Sequence, residues 1–191
     1  MSAEYLKWIM PSITNRSVKK SDFRFEKAME QANIALDMKK RGNLPEIDDI
    51  IACVNEFLES LKMKKVEPQK KKTRNVYSDI WNKNKTDGMA EKRDIVWIKL
   101  TQNGVVGVVG TSCDVFLDFP KEKAKYSTSD LIVEYIASKI GKGFNWDTEN
   151  VLIFPLCNIP DGLNRSDIES GIGNYLIHKG IPILDYYSHN Y

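Results

Sequence analysis

At 191 residues, 42% hydrophobic and 28% charged, the chain has the composition of an ordinary globular protein, sized for one medium domain or a domain with an appendage. No apolar run approaches the ~18 residues of a membrane-spanning helix, and Glu4 and Lys7 break the apolar N-terminal stretch that a secretory signal needs. The formal charge of +2 is uneven: residues 1–75 hold 16 Lys and Arg against 11 Asp and Glu, and residues 76–191 hold 12 against 15, which suggests two parts in different surroundings.

Tyr5, Leu6, Trp8, Ile9 and Met10 form an apolar patch before Pro11, suited to docking on the body of the protein or on a partner. Ser21 to Arg41 reads as a helix. Ser21 can cap it, Asp22 suits the positive end of its dipole, Phe25, Ala28, Met29, Ala32 and Leu36 share a face, and Lys39, Lys40 and Arg41 fill the last turn. Pro45, with Glu46, Asp48 and Asp49, opens a second helix with a wide apolar stripe of Ile47, Ile50, Ile51, Val54, Phe57, Leu58 and Leu61. The short connection 42–44 predicts an antiparallel hairpin. Two helices alone cannot bury both stripes, so the hairpin needs the rest of the chain, a second copy or another protein.

The run KMKKVEPQKKKTR at 62–74 has seven basic residues and one acidic, and contains Pro68. It reads as a solvated linker, 62–75, between an arm with hairpin (1–61) and an α/β domain (76–191). Lys64, Lys65, Lys70, Lys71, Lys72 and Arg74 are its candidates for nucleic-acid phosphates, although no aromatic residue is interleaved for base stacking. Beyond it, Ile95–Thr101 and Val105–Val109 flank an Asn103-Gly104 hairpin signal, Gly110–Asp114 reads as a turn, and Val115–Phe119 as a third strand. A helix follows, capped by Ser127 or Ser129, with Leu131, Ile132, Tyr135, Ile136 and Ile140 inward and Gly141 at its end.

Val151–Leu156 is an apolar run suited to a strand buried on both faces, with Pro155 against a perfectly regular ladder. Turn formers follow, then Ser166-Asp167-Ile168-Glu169, which matches a capping box. The next helix stops at Gly180 and Pro182, and Ile183–Tyr187 returns as a strand, which makes a strand–helix–strand crossover. Gly171 and Gly173 inside that helix imply close packing on the sheet or a closely approaching ligand. The fold class is therefore α+β (mixed α/β): an N-terminal helical hairpin followed by a β-β-β-α-β-α-β domain.

Ligands of such sheets bind beyond the carboxyl ends of parallel strands, where Asn158, Asp161, Asn164, Arg165, Ser166, Asp167 and Glu169 fall. In an enzymatic reading Glu169, Asp161 and Asp167 are the catalytic candidates, and Asn158, Arg165 and Ser166 would hold a nucleotide, nucleoside or nucleic-acid phosphate. Capping of the helix is the plainer use of the same groups. The polar loop, Glu169, the glycine-containing helix and Gly180-Ile181-Pro182 resemble the C-terminal signature of nucleoside deoxyribosyltransferases, which implies Glu169 as a nucleophile. The spacing from Glu169 to Pro182 is longer than in that family, and its leading strand with a glycine-containing turn is missing.

Asp114 and Asp118 would share one face of a strand and are the candidate Mg²⁺ pair. The β-β-β-α-β order resembles the core of PD-(D/E)xK nucleases, without an Asp/Glu-x-Lys on the next strand. The glycines at 104, 107 and 110 lack the Lys of a phosphate loop and suit hairpin strands. His178 and His189 have no metal-ligand spacing. No cofactor motif is evident, and a divalent metal would enter only with the enzymatic reading. Cys53, Cys113 and Cys157 form no CxxC pair and suit reduced thiols in a cytoplasmic setting. The expectation is a cytoplasmic binding and assembly protein, without a membrane partner, whose N-terminal helices mediate self-association or docking into a larger complex.

Overall fold

The structure, a computed structural model, describes residues 20–71, 93–114 and 128–186. In chain order these form α1 (Lys20–Arg41), α2 (Ile47–Ser60), β1 (Gln69–Lys71), β2 (Arg93–Thr101), β3 (Val106–Asp114), α3 (Thr128–Lys139), β4 (Trp146–Pro155) and α4 (Arg165–His178). The strands make one antiparallel sheet in the order β1-β4-β2-β3, and with the helices they give a mixed α+β fold. The predicted third strand at 115–119, the Tyr77 and Trp81 region and the N-terminal apolar patch lie outside the described residues.

β2 is central because both of its neighbours supply apolar partners, with Ile98 opposite Val109 on one side and Leu152 on the other. Val96, Ile98 and Leu100 alternate onto one face, as the two-residue period of a strand requires. There they join Phe57 and Leu58 of α2 and Ile168, Ile172 and Leu176 of α4 in the larger core. A second core gathers Ala28, Ala32 and Ala35 of α1, Ile132, Val133 and Ile136 of α3, and Val105, Phe144 and Leu184. The two N-terminal helices thus feed different cores. The α2 stripe, with Ile50, Val54, Phe57 and Leu58 buried, is used up by the chain's own sheet and α4. α2 therefore shares one core with the residues assigned to a separate domain at 76–191.

The basic run is also tied down. The Asn55 side chain brackets Val66, accepting from its N–H at 2.7 Å and donating to its carbonyl at 3.0 Å. Met63 and Pro68 are buried, and 69–71 pairs with β4. A free linker over 62–71 is not what forms, because Met63 and Val66 pack on the larger core and Gln69–Lys71 pair with β4.

Residues 110–114, expected as a turn, continue β3. The reason is cross-strand: the Trp97 ring lies over Gly110 and the Trp146 ring over Gly107, so each glycine makes room for an indole. In α3 the buried residues are Ile132, Val133 and Ile136, while Leu131 and Tyr135 point outward instead of inward. The helix is rotated by two polar ties: Ser129 donates to Asp185, and Asp130 accepts from the Trp146 indole at 2.9 Å. The crossover closes with Gly180 at φ +80° as the left-handed stop. Its return leg is shorter than a strand, a parallel bridge from Ile183 to Val106, with Asp185 N–H donating to Gly107 at 2.8 Å.

Candidate functional site

The loop after β4 is where the sequence places a site. Asn158 is exposed with φ +57°, Asp161 and Ser166 are exposed, and Arg165 is half-buried. The N-cap of α4 is Asn164, whose carboxamide oxygen accepts from the N–H groups of Ser166 (2.8 Å) and Asp167 (3.2 Å). Asp167 returns the bond, accepting from the Asn164 N–H at 2.8 Å. The capping box thus sits two residues earlier than Ser166–Glu169, since Asn is as good a cap as Ser and Asp167 stands at its third helical position. Glu169 is then an interior helix residue, only 9% exposed. Arg165 is drawn to Asp94, Nη1 to Oδ1 at 3.3 Å, and its buried Nε has no hydrogen-bond partner among the described residues.

Backbone pairing brings Asp114 opposite Arg93, at the same end of the sheet as Asp94 and Arg165. Asp118 lies outside the described residues, as do Lys72 and Arg74. Among the described residues no group of three or more His, Cys, Asp or Glu side chains is gathered to hold a metal ion. Lys64 and Lys65 are exposed, Lys65 pairs with Glu59 at 3.3 Å, and Lys70 and Lys71 stand on β1. No helix of the described residues is long and apolar enough to cross a membrane.

Three polar arrangements were not legible from local sequence. Asp185, whose side chain is fully buried, accepts from Arg24 Nε at 3.1 Å and Nη2 at 2.7 Å, and from Ser129 Oγ at 2.5 Å. It thereby joins α1, α3 and the C-terminal segment. Lys99 places Nζ 4.3 Å from the centre of the Trp146 ring, and burial pushes its amine below the usual lysine range, with Asp130 pulling the other way. Between α2 and α4, Glu56 lies below the usual carboxylate range through bonds from Tyr175 and Lys179, and the Tyr175 phenol is pushed up to about 12 by burial and by Glu56.

A cleft of about 380 Å³ opens at the other end of the sheet, between the α1–α2 connection and the β2–β3 turn. Leu44, Pro45 and Leu100 supply its apolar surface, and Lys39, Glu46, Gln102, Asn103 and Asp147 its polar rim. The sequence shows the Gly42–Leu44 connection and the Asn103-Gly104 turn as separate signals; only the tertiary fold sets them face to face. Comparisons with protein-family models, with curated proteins and with solved structures each find no match.

Proposed function

We propose that this chain is a cytoplasmic binding and assembly protein that associates with a second copy of itself through the layer formed by α1 and α3. The observation that carries the reading is an apolar strip on the outer side of α3. Leu131 is 46% and Tyr135 37% exposed, one helical turn apart, and Phe25 of α1 meets the Tyr135 ring edge to face at 5.1 Å. A tyrosine flanked by aliphatic surface is a favoured interface anchor, and a strip that can meet its own copy suits the isologous contact of a two-fold dimer. The stripe of α2 does not serve, because it is spent inside the molecule. Free thiols at Cys53 and Cys157 support a reducing compartment.

Light scattering on the full chain across a concentration series tests this. The expected result is an assembled mass that falls to the monomer's in a Leu131→Lys/Tyr135→Lys variant, with the unfolding midpoint little changed because both side chains are exposed. A wild type that is monomeric throughout, or an assembly untouched by the double substitution, refutes the reading.

A further inference from the structure

We infer that the cleft between the α1–α2 connection and the β2–β3 turn binds a small aliphatic zwitterion, an α-amino carboxylate of amino-acid or dipeptide size. At about 380 Å³ the cleft falls within the range of small-ligand sites, roughly 300–1,000 Å³. Its walls are fixed by the fold. Gly42 at φ +71° reverses the chain between the helices, and Gly104 at φ +85° closes the β2–β3 turn, donating to the Thr101 carbonyl at 2.9 Å. Asn103 is held on both sides: its N–H donates to Gly143 at 2.9 Å, and its side-chain oxygen accepts from Thr101 Oγ1 at 2.6 Å. The oxygen being engaged, Asn103 keeps its side-chain NH₂ as a donor, and Asn103 is one of the residues lining the cleft.

The rim carries both signs of charge. Lys39 comes from the last turn of α1, and Glu46 is the N-cap that precedes α2, its N–H donating to Asp49 at 2.9 Å, so the two stand on either side of the connection. A carboxylate can be held by the Lys39 ammonium and the Asn103 NH₂, and an ammonium by Glu46; Asp147, the other carboxylate of the rim, is already engaged by the N–H groups of Glu149 and Asn150 and by the Asn150 side chain. Leu44, Pro45 and Leu100 then receive the aliphatic part. A phosphate fits poorly, because Glu46, Asp48 and Asp49 crowd the start of α2 with negative charge. A simple amine fits poorly because Lys39 faces the same space. The cleft residues are distinct from Leu131 and Tyr135, so the inference stands apart from self-association.

Titration calorimetry on the full chain, with L-leucine, L-leucyl-L-leucine, isopentylamine and 4-methylvalerate as probes, tests it. Saturable binding is expected for leucine or the dipeptide, with the amine and the acid at least about tenfold weaker, since each leaves one charged rim group unpaired. Tighter binding of the dipeptide than of leucine assigns the site to a peptide end, and the reverse to a free amino acid. Glu46→Gln and Lys39→Met should each weaken binding about tenfold with an unchanged circular dichroism spectrum, while Leu131→Lys/Tyr135→Lys should bind as the wild type does. No saturable binding of either zwitterion, equal binding of the amine or the acid, or an unchanged affinity in Glu46→Gln overturns the inference.

Discussion

Replacing Asp185 with alanine should unfold the protein more readily than any exposed substitution. The Asp185 carboxylate is fully buried, Arg24 keeps only 13% of its side chain exposed, and the two meet through both the Nε and Nη2 donors of the guanidinium. Removing the acid takes its acceptor from the Arg24 guanidinium and the Ser129 hydroxyl together. Breaking a buried pair from one side costs about 3–5 kcal/mol, and the residual exposure of Arg24 points to the lower part of that range, about 3–4 kcal/mol. Against a total stability of roughly 5–15 kcal/mol this is a large fraction. At about 2–4 °C per kcal/mol for a chain of this size, the melting temperature should fall by roughly 6–16 °C. Urea and thermal unfolding followed by circular dichroism would read both quantities. The paired control is Arg24→Met/Asp185→Leu, which removes both charges and should be closer to the wild type than Asp185→Ala. A loss below ~1 kcal/mol in Asp185→Ala, or a double variant no better than the single one, would show that the pair is not holding α1, α3 and the C-terminal segment together.

Other outcomes follow from the same structure. Gly110→Ala would place a methyl 2.2 Å from the Trp97 ring and should cost about 1–3 kcal/mol in urea unfolding, with part of the loss recovered in Gly110→Ala/Trp97→Leu. Glu56 has its folded-state pKa depressed, so its contribution is present above the unfolded carboxylate value of about 4.3 and is lost as pH falls through the folded one; Glu56→Gln should flatten the acid limb of stability against pH. Lys99 has its amine depressed by burial, so the wild type should gain stability as pH rises through the folded-state value toward the unfolded value of about 10.4, and Lys99→Met should lose that rise. The exposed Cys157 should react with iodoacetamide well before Cys53, whose thiol is pushed up by burial and by Glu56; peptide mapping that finds Cys53 labelled first would contradict this.

Much of the architecture is readable locally. The spacing of Ala28 and Ala32, the stripe from Ile50 to Leu58, the Asn103-Gly104 turn and the Gly180 stop all match what forms. These features depend on period, capping and backbone freedom, which act over a few residues. The errors fall where two signals compete at close range. Ser166 and Asn164 are both good caps, and the chain uses the second. Gly110 suggests a turn until the Trp97 ring from the neighbouring strand is seen lying over it.

The sequence by itself determined that this is a mixed α+β protein with two N-terminal helices, a buried strand at 151–154 and a glycine-stopped crossover helix. Tertiary structure alone decided which residues meet. Arg24 finds Asp185, Lys99 finds the Trp146 ring, and the Gly42 connection faces the Asn103 turn. Local propensity is blind to such pairings, because they join residues from distant parts of the chain and are selected by burial: a charge or polar group removed from water must meet a partner wherever the packed helices and strands place one.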